Sequence, residues 1–184
     1  MTENTERLFV ITGGPSSGKS TLVGALGDAG YGRSVEAGRG VIQDQMTIAG
    51  RALPWVDSLA FAELMLSWEM RSYHLAQDHR GAVFFDRGVP DVVGYLRLLG
   101  LPVPEHIDRA AAIFRYNRRV FIAPPWQEIF ANDHERKQSW DEAVRTYEAM
   151  FATYTAYGYE FVEIPRVSVS ERVRFILQNA GIDG

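Results

Sequence analysis

The 184-residue sequence contains no cysteine, which excludes a disulfide framework and a thiolate metal site. It also has no stretch that approaches the roughly 18 consecutive apolar residues of a membrane span. Its first ten residues, MTENTERLFV, lack the basic segment and the long apolar core of a secretory signal peptide. We therefore expect a cytoplasmic protein with no membrane span.

Lysine is nearly as scarce as cysteine, because it occurs only at Lys19 and Lys137 among 19 lysine and arginine residues. The formal net charge of −4 argues against non-specific nucleic-acid binding as the main task. A hydrophobic fraction of 46% and a charged fraction of 23% are ordinary for a globular protein. The length favours one domain, and no linker or repeat divides the chain, so we predict a single domain over residues 1–184.

A glycine-rich segment follows the apolar run Leu8–Ile11 and carries the strongest motif. Its residues GGPSSGKS fit the phosphate-binding P-loop pattern G-x-x-x-x-G-K-[ST]. Glycine lets a backbone fold closely around an anion, and a helix that begins near Lys19 adds the positive end of its dipole. We predict that nucleotide is bound by Gly13, Gly14, Pro15, Ser16, Ser17, Gly18, Lys19, Ser20 and Thr21.

Two side chains of this motif have expected roles. Lys19 would reach the β- and γ-phosphates, and the Ser20 hydroxyl would contact Mg²⁺. The alternative is a strand-to-helix turn that binds nothing. We disfavour it because an apolar run precedes the motif and residues 22, 25 and 26 continue at helical spacing after it.

Short apolar segments alternate with longer helical patterns along the whole chain, which is typical of an α/β domain with a parallel sheet. The predicted strands are Leu8–Thr12, Arg33–Ala37, Ala82–Phe85, Arg119–Ala123 and Tyr159–Ile164. The predicted helices are Lys19–Ala29, Arg39–Ala49, Trp55–His79, Asp91–Leu99, Glu105–Tyr116, Trp140–Tyr157 and a last one that follows the capping pattern Ser168-x-x-Glu171. The third helix is expected to hold Pro54 in its first turn and to bury residues 59, 62, 66, 70 and 73.

A second chemical element stands where the third predicted strand ends. Asp86 would lie beside the P-loop, since ligands collect at the carboxyl ends of parallel strands, and its carboxylate would help to bind the metal. Capping of the next helix is the alternative role. Arg87 is suited to an anion of the substrate or to an ion pair with Asp91, and both roles can hold. We assign Arg87 and Asp91 to substrate binding.

These elements together resemble a known family. The P-loop, the segment VEAGR at 35–39, the run FFDRGVPDVVGYL and the region PPWQEIFANDHERK resemble the AAA-28 family of P-loop ATPases. That family is similar to nucleoside and nucleotide kinases, including the ribosylnicotinamide kinase domain of NAD regulator proteins. The resemblance implies a five-stranded parallel sheet in the order 2-3-1-4-5, within a three-layer P-loop fold, and a lid at about residues 126–139.

The resemblance also implies roles for single residues. Glu36 matches a glutamate that accepts the proton of the substrate hydroxyl, and Arg39 would hold a polar or anionic part of the substrate. Arg136 falls where lid arginines close over the transferring phosphate, with Asp133 and Lys137 beside it; a solvated surface loop is the alternative there. Lys19, Glu36, Asp86 and Arg136 form the predicted catalytic set, and Ser20 and Asp86 are the predicted metal ligands.

The activity that follows is Mg²⁺-dependent transfer of a phosphate from ATP to a small hydroxylated acceptor such as a nucleoside or nucleotide. The alternatives are an ATPase and a nucleotide-dependent switch that has no small-molecule acceptor. Two candidate acceptor residues, Glu36 and Arg39, favour the transferase.

Overall fold

The computed structural model describes residues 5–131 and 138–182. After a 3₁₀ turn at Thr5–Arg7, its strands are β1 (Leu8–Gly13), β2 (Gly32–Arg33), β3 (Val83–Asp86), β4 (Arg119–Ala123) and β5 (Glu160–Glu163). Its helices are α1 (Lys19–Asp28), α2 (Ala37–Thr47), α3 (Ser58–Gln77), α4 (Val89–Leu98), α5 (Glu105–Ile113), α6 (Gln127–Ala131), α7 (Trp140–Ala156) and α8 (Val169–Asn179). None of these helices is both long enough and apolar enough to cross a bilayer.

The sheet confirms the α/β fold and the implied strand order. All paired strands are parallel, and the order is β2-β3-β1-β4-β5. The central strand β1 pairs with β3 through Ile11 and Asp86 and with β4 through Gly13 and Ala123. Because the strands are parallel, the loop after β1 and the end of β3 meet at the same edge of the sheet, where ligands bind in open α/β sheets.

The apolar strands are buried on both faces. Along β1, Leu8 and Val10 contribute to one core, whereas Phe9 and Ile11 contribute to the other. The first core includes side chains of α3, α4, α5 and α7, and the second includes side chains of α1 and α8. Coverage of both faces explains why β1, β3 and β4 are continuous apolar runs instead of alternating ones.

The start of α3 differs from the prediction. The helix begins at Ser58 because Asp57 caps it by accepting a hydrogen bond from the Ala60 N–H at 3.0 Å. Pro54 therefore lies in the preceding turn and not in the helix. The expected buried stripe is also partly wrong, since Leu59 is 46% exposed, Met70 is partly buried, and the buried residues of α3 are Phe61, Ala62, Leu66, Glu69, Tyr73 and Ala76.

The second strand is shorter than predicted. It ends at Arg33, with one further ladder bond from the Ser34 N–H to the Phe84 carbonyl at 3.0 Å. The chain then leaves the sheet and enters α2 at Ala37, so that Glu36 becomes the residue immediately before the helix. This brings Glu36 to the same edge of the sheet as the P-loop and Asp86.

Candidate nucleotide and acceptor site

The loop between β1 and α1 has the backbone of an anion-binding turn. Gly13 and Gly18 have φ values of 136° and 76°, in the region that favours glycine. A Cβ on Gly13 would also collide with the Ala123 backbone of β4, so the loop lies tightly against the sheet. Because Gly18 directly precedes α1 and has no side chain to cap it, the first N–H groups of the helix are available to an anion.

Lys19 points back over this loop. Its Nζ donates to the Gly14 carbonyl at 2.5 Å and to Ser17 Oγ at 3.2 Å, and the residue is only 6% exposed. Burial, together with the positive charge of Arg87, lowers the pKa of Lys19 to about 8 against the opposing effect of nearby carboxylates. The ammonium is therefore charged at neutral pH although the fold desolvates it, a state that a bound phosphate would stabilise.

Ser20 and Asp86 form a pair at the end of β3. The Ser20 hydroxyl donates to Asp86 Oδ2 at 2.7 Å, while the buried Oδ1 has no hydrogen-bond partner within the described part of the chain. Burial raises the pKa of Asp86, and Lys19 counteracts that shift. A hydroxyl and a carboxylate with a free oxygen are suitable ligands for Mg²⁺, which keeps several waters and binds substrate phosphates. No larger acidic or histidine cluster that could hold a metal occurs in residues 5–131 and 138–182.

Arg87 adopts a strained backbone at the turn after β3. Its φ is +73°, a conformation uncommon for a residue with a side chain, and its N–H donates to the Ile11 carbonyl at 3.0 Å. The guanidinium lies between two carboxylates, with Nη1 3.1 Å from Asp91 Oδ1 and Nε 3.6 Å from Glu36 Oε1. These carboxylates raise the pKa of Arg87 although burial opposes them, so the cation is fixed at the site.

Asp91 is the hydrogen-bonding centre behind Arg87. Besides Arg87, its carboxylate accepts from the Thr12 hydroxyl at 2.6 Å, the Gly88 N–H at 2.9 Å and the Tyr154 hydroxyl at 2.6 Å. The residue is 5% exposed. These contacts link β1, the start of α4 and α7, and they orient Arg87 toward the site. The predicted contact of Asp91 with substrate stays a prediction.

Glu36 lies on the other side of Arg87. Burial alone would raise the pKa of this carboxyl, but the positive charges of Arg87, Lys19 and Arg39 lower it below the usual value. Glu36 is therefore ionised at neutral pH. Arg39 is exposed on the first turn of α2, and its predicted role in substrate binding stays a prediction.

The predicted lid is described only in part. Its first half contains the short helix α6, and Ser139 at its end caps α7 through a bond from the Glu142 N–H at 3.2 Å. Asp133, Arg136 and Lys137 lie outside the described residues. Their roles in closing the site stay predictions.

The structure adds residues that the sequence did not single out. Thr12 and Tyr154 bind Asp91, and Arg172 of α8 donates to the Ser17 carbonyl at 3.0 Å. Glu69 lies 2% exposed within the apolar stripe of α3, and burial raises its pKa well above the usual value. Of these residues, Glu69 alone could have been noticed in the sequence. It stands three residues after Leu66 and four before Tyr73, so an acidic residue falls on the predicted buried face of the helix.

Comparisons with known proteins agree with this geometry. The model of the AAA-28 family, described as an AAA domain, matches residues 8–172. No curated protein sequence gives a significant match.

Solved structures show the same fold. Deoxyadenosine kinase from M. mycoides, with products dCMP and dCDP bound, has a TM-score of 0.68 at 15% identity, over 95% of this chain and 98% of that one. NadR in complex with NR has a TM-score of 0.71 at 17% identity, over 98% of this chain and 53% of that one. Thymidylate kinase from Ehrlichia chaffeensis has a TM-score of 0.63 at 12% identity, over 96% and 99%.

Proposed function

We propose that this chain, which belongs to the AAA-28 family, transfers the γ-phosphate of ATP to a hydroxyl group of a small acceptor. The observation that carries the proposal is Glu36, a carboxylate kept ionised 3.6 Å from Arg87 at the edge of the sheet that also holds the P-loop. A protein that only binds nucleotide does not need a second anionic group here. A carboxylate can take a proton from an acceptor hydroxyl or from water, and the neighbouring Arg87, which is suited to hold an anionic or polar group, favours the acceptor.

Binding of the triphosphate is assigned to the loop after β1 and to the start of α1. The backbone N–H groups of this segment would surround the phosphates, and Lys19 would move its ammonium from the Gly14 carbonyl to a phosphate oxygen. Contact with a phosphate would raise the pKa of Lys19 above its present value of about 8. The nucleotide would thus bind more tightly when this side chain is protonated.

Mg²⁺ is expected to be held by Ser20 and Asp86, whose Oδ1 has no partner within the described residues. When bound, the ion would neutralise negative charge on the β- and γ-phosphates. The Ser34 hydroxyl accepts a hydrogen bond from the Asp86 N–H at 3.0 Å and so helps to hold the end of β3 in place. The protein contributes positioning and electrostatic stabilisation, which are the main requirements of phosphoryl transfer.

The acceptor would lie between Glu36 and Arg87. Glu36 would orient the hydroxyl and take its proton, while Arg87, fixed by Asp91, would hold an anionic or polar part of the acceptor. Arg39 is proposed to contact the same molecule from α2, and Arg136 to close over the phosphate from the lid. A nucleoside, or a nucleotide that offers a free sugar hydroxyl, fits this arrangement, and the likeness to deoxyadenosine kinase supports that class of acceptor.

The test measures transfer of labelled phosphate from [γ-³²P]ATP to a panel of nucleosides, nucleotides and ribosylnicotinamide. Glu36→Gln is expected to reduce transfer to the accepted compound about a hundredfold or more and to leave ATP binding intact. Glu160→Gln, which removes an exposed carboxylate on β5, is the matched control and should retain full transfer.

If Glu36→Gln transfers phosphate as fast as the wild type, Glu36 does not accept the proton of the acceptor hydroxyl. Release of inorganic phosphate without any labelled acceptor would instead identify the protein as an ATPase. A change of conformation on nucleotide binding, with no acceptor and slow hydrolysis, would identify a switch.

A further inference from the structure

Arg172 lies on the side of the P-loop that faces α8. Its Nη2 donates to the Ser17 carbonyl at 3.0 Å across 155 residues of sequence, and the residue is 2% exposed. A Cβ on Gly18 would stand 2.8 Å from Nη1, so the guanidinium lies directly against the loop. The guanidinium also lies over the ring of Trp126, with Cζ 5.9 Å from the ring centroid.

This buried charge has no counter-ion among residues 5–131 and 138–182. The salt bridges in that part of the chain do not include Arg172, and its Nε has no hydrogen-bond partner there. Burial lowers the pKa of Arg172, but a guanidinium stays protonated at physiological pH. An uncompensated buried charge is costly. An anion bound in the adjacent loop would offset that cost.

The contact with Ser17 also sets the orientation of a peptide group. In a trans peptide the C=O and the N–H point to opposite sides. Since Arg172 holds the Ser17 carbonyl on the α8 side, the Gly18 N–H is directed away from α8. The positive φ values of Ser16 (52°) and Gly18 (76°) are typical of loops whose successive N–H groups surround an anion.

We propose that Arg172 is a positioning residue of the nucleotide site, which orients the Ser17–Gly18 peptide toward the phosphates and adds a positive charge behind them. The inference rests on the proposed function insofar as a nucleoside triphosphate must occupy the loop. It makes phosphate affinity depend on α8, a helix that lies outside the P-loop motif.

The test compares binding of ATP, ADP and adenosine to the 184-residue chain by isothermal titration calorimetry. Arg172→Gln keeps a donor for the Ser17 carbonyl but removes the charge, whereas Arg172→Lys keeps the charge. We expect Arg172→Gln to weaken ATP binding about tenfold to a hundredfold, the loss typical of a charge-assisted hydrogen bond. The loss should be smaller for ADP and absent for adenosine, and Arg172→Lys should recover part of it.

Arg174→Met is the matched control, because it removes an exposed arginine of the same helix and should bind all three compounds normally. Urea unfolding of each variant shows whether it is folded. If Arg172→Gln does not fold, the same comparison of ATP, ADP and adenosine is made with Arg172→Lys. Equal losses for ATP, ADP and adenosine would overturn the inference, since they would indicate packing alone. Normal ATP binding by Arg172→Gln would overturn it as well. If the wild type binds neither ATP nor ADP, the proposed function is overturned together with the inference. This failure is distinguished from the others because it is seen in the wild type, without any variant.

Discussion

Replacing Lys19 with methionine is expected to make the nucleotide-free protein more stable at pH 7 while it abolishes nucleotide binding. The reason is that the fold buries a charged ammonium before any phosphate is present: Lys19 is 6% exposed, and burial with the nearby Arg87 lowers its pKa to about 8. Methionine has a similar length and no charge to desolvate. The variant therefore removes a buried charge that lowers stability and is useful only for nucleotide binding.

The size of the effect follows from the shift in pKa. A decrease from 10.5 to about 8 corresponds to about 3 kcal/mol of unfavourable free energy for the charged side chain in the folded state. The variant also loses the bonds to the Gly14 carbonyl and to Ser17 Oγ, each with a net value of about 1 kcal/mol. The Gly14 carbonyl keeps its bond from the Ser17 hydroxyl at 2.8 Å. We expect a net gain in stability of about 1–2 kcal/mol at pH 7.

The pH dependence separates this explanation from a packing effect. Between about pH 8 and pH 10.5 the unfolded chain holds the Lys19 proton and the folded chain has released it, so the wild type gains stability as the pH rises. Below pH 8 both states are protonated and the difference between wild type and variant is constant. Between pH 8 and pH 9.5 the advantage of the variant should decrease by about 2 kcal/mol.

Urea unfolding of both proteins at pH 7 and pH 9.5 measures these differences. Both proteins contain the same tyrosines, so the effect of tyrosine titration on stability cancels in the comparison. Arg39→Met removes an exposed cation near the site and should change the stability by less than about 0.5 kcal/mol at either pH. A Lys19→Met protein that is less stable than the wild type at pH 7, by the same amount at pH 9.5, would refute the reasoning.

Two further substitutions test the structure around the site. Asp91→Asn should lower the free energy of unfolding by about 3 kcal/mol, because Arg87 would lose its bonded carboxylate; a loss under 1 kcal/mol in urea would contradict that role. Gly13→Ala should cost about 3 kcal/mol or more, because its φ of 136° is unfavourable for a residue with a side chain and its Cβ would collide with the Ala123 backbone of β4. An unchanged thermal midpoint would contradict the close contact between the loop and β4.

Much of the fold could be predicted because its signals are local. The strands are apolar runs bounded by turns, and the P-loop motif places a strand before it and a helix after it. The strand Arg119–Ala123 was predicted with its observed bounds, since Pro124 follows it directly. The predictions of secondary structure are wrong where the same local pattern fits two different structures. Trp55 and Val56 suit an apolar helix face, yet the chain there forms a turn that ends at the cap Asp57.

The candidate site was less predictable because its supporting contacts join distant parts of the chain. The bonds from Tyr154 to Asp91 and from Arg172 to Ser17 span 63 and 155 residues, and no periodicity of either helix indicates its partner. The P-loop and Asp86 could be located because each ends an apolar strand. The positive φ of +73° at Arg87 could not be predicted, because a glycine, Gly88, stands next to it in the turn and would be the residue expected to adopt that conformation.

The central claim is that a phosphate bound in the P-loop is passed to a hydroxyl oriented by Glu36. Its most direct test is the fate of labelled phosphate from [γ-³²P]ATP with Mg²⁺ and the panel of nucleosides, nucleotides and ribosylnicotinamide, measured for the wild type and for Glu36→Gln. We predict that one class of acceptor becomes labelled by the wild type and that Glu36→Gln labels it about a hundredfold more slowly or worse. Label that appears only in inorganic phosphate, at equal rates in both proteins, would contradict the claim.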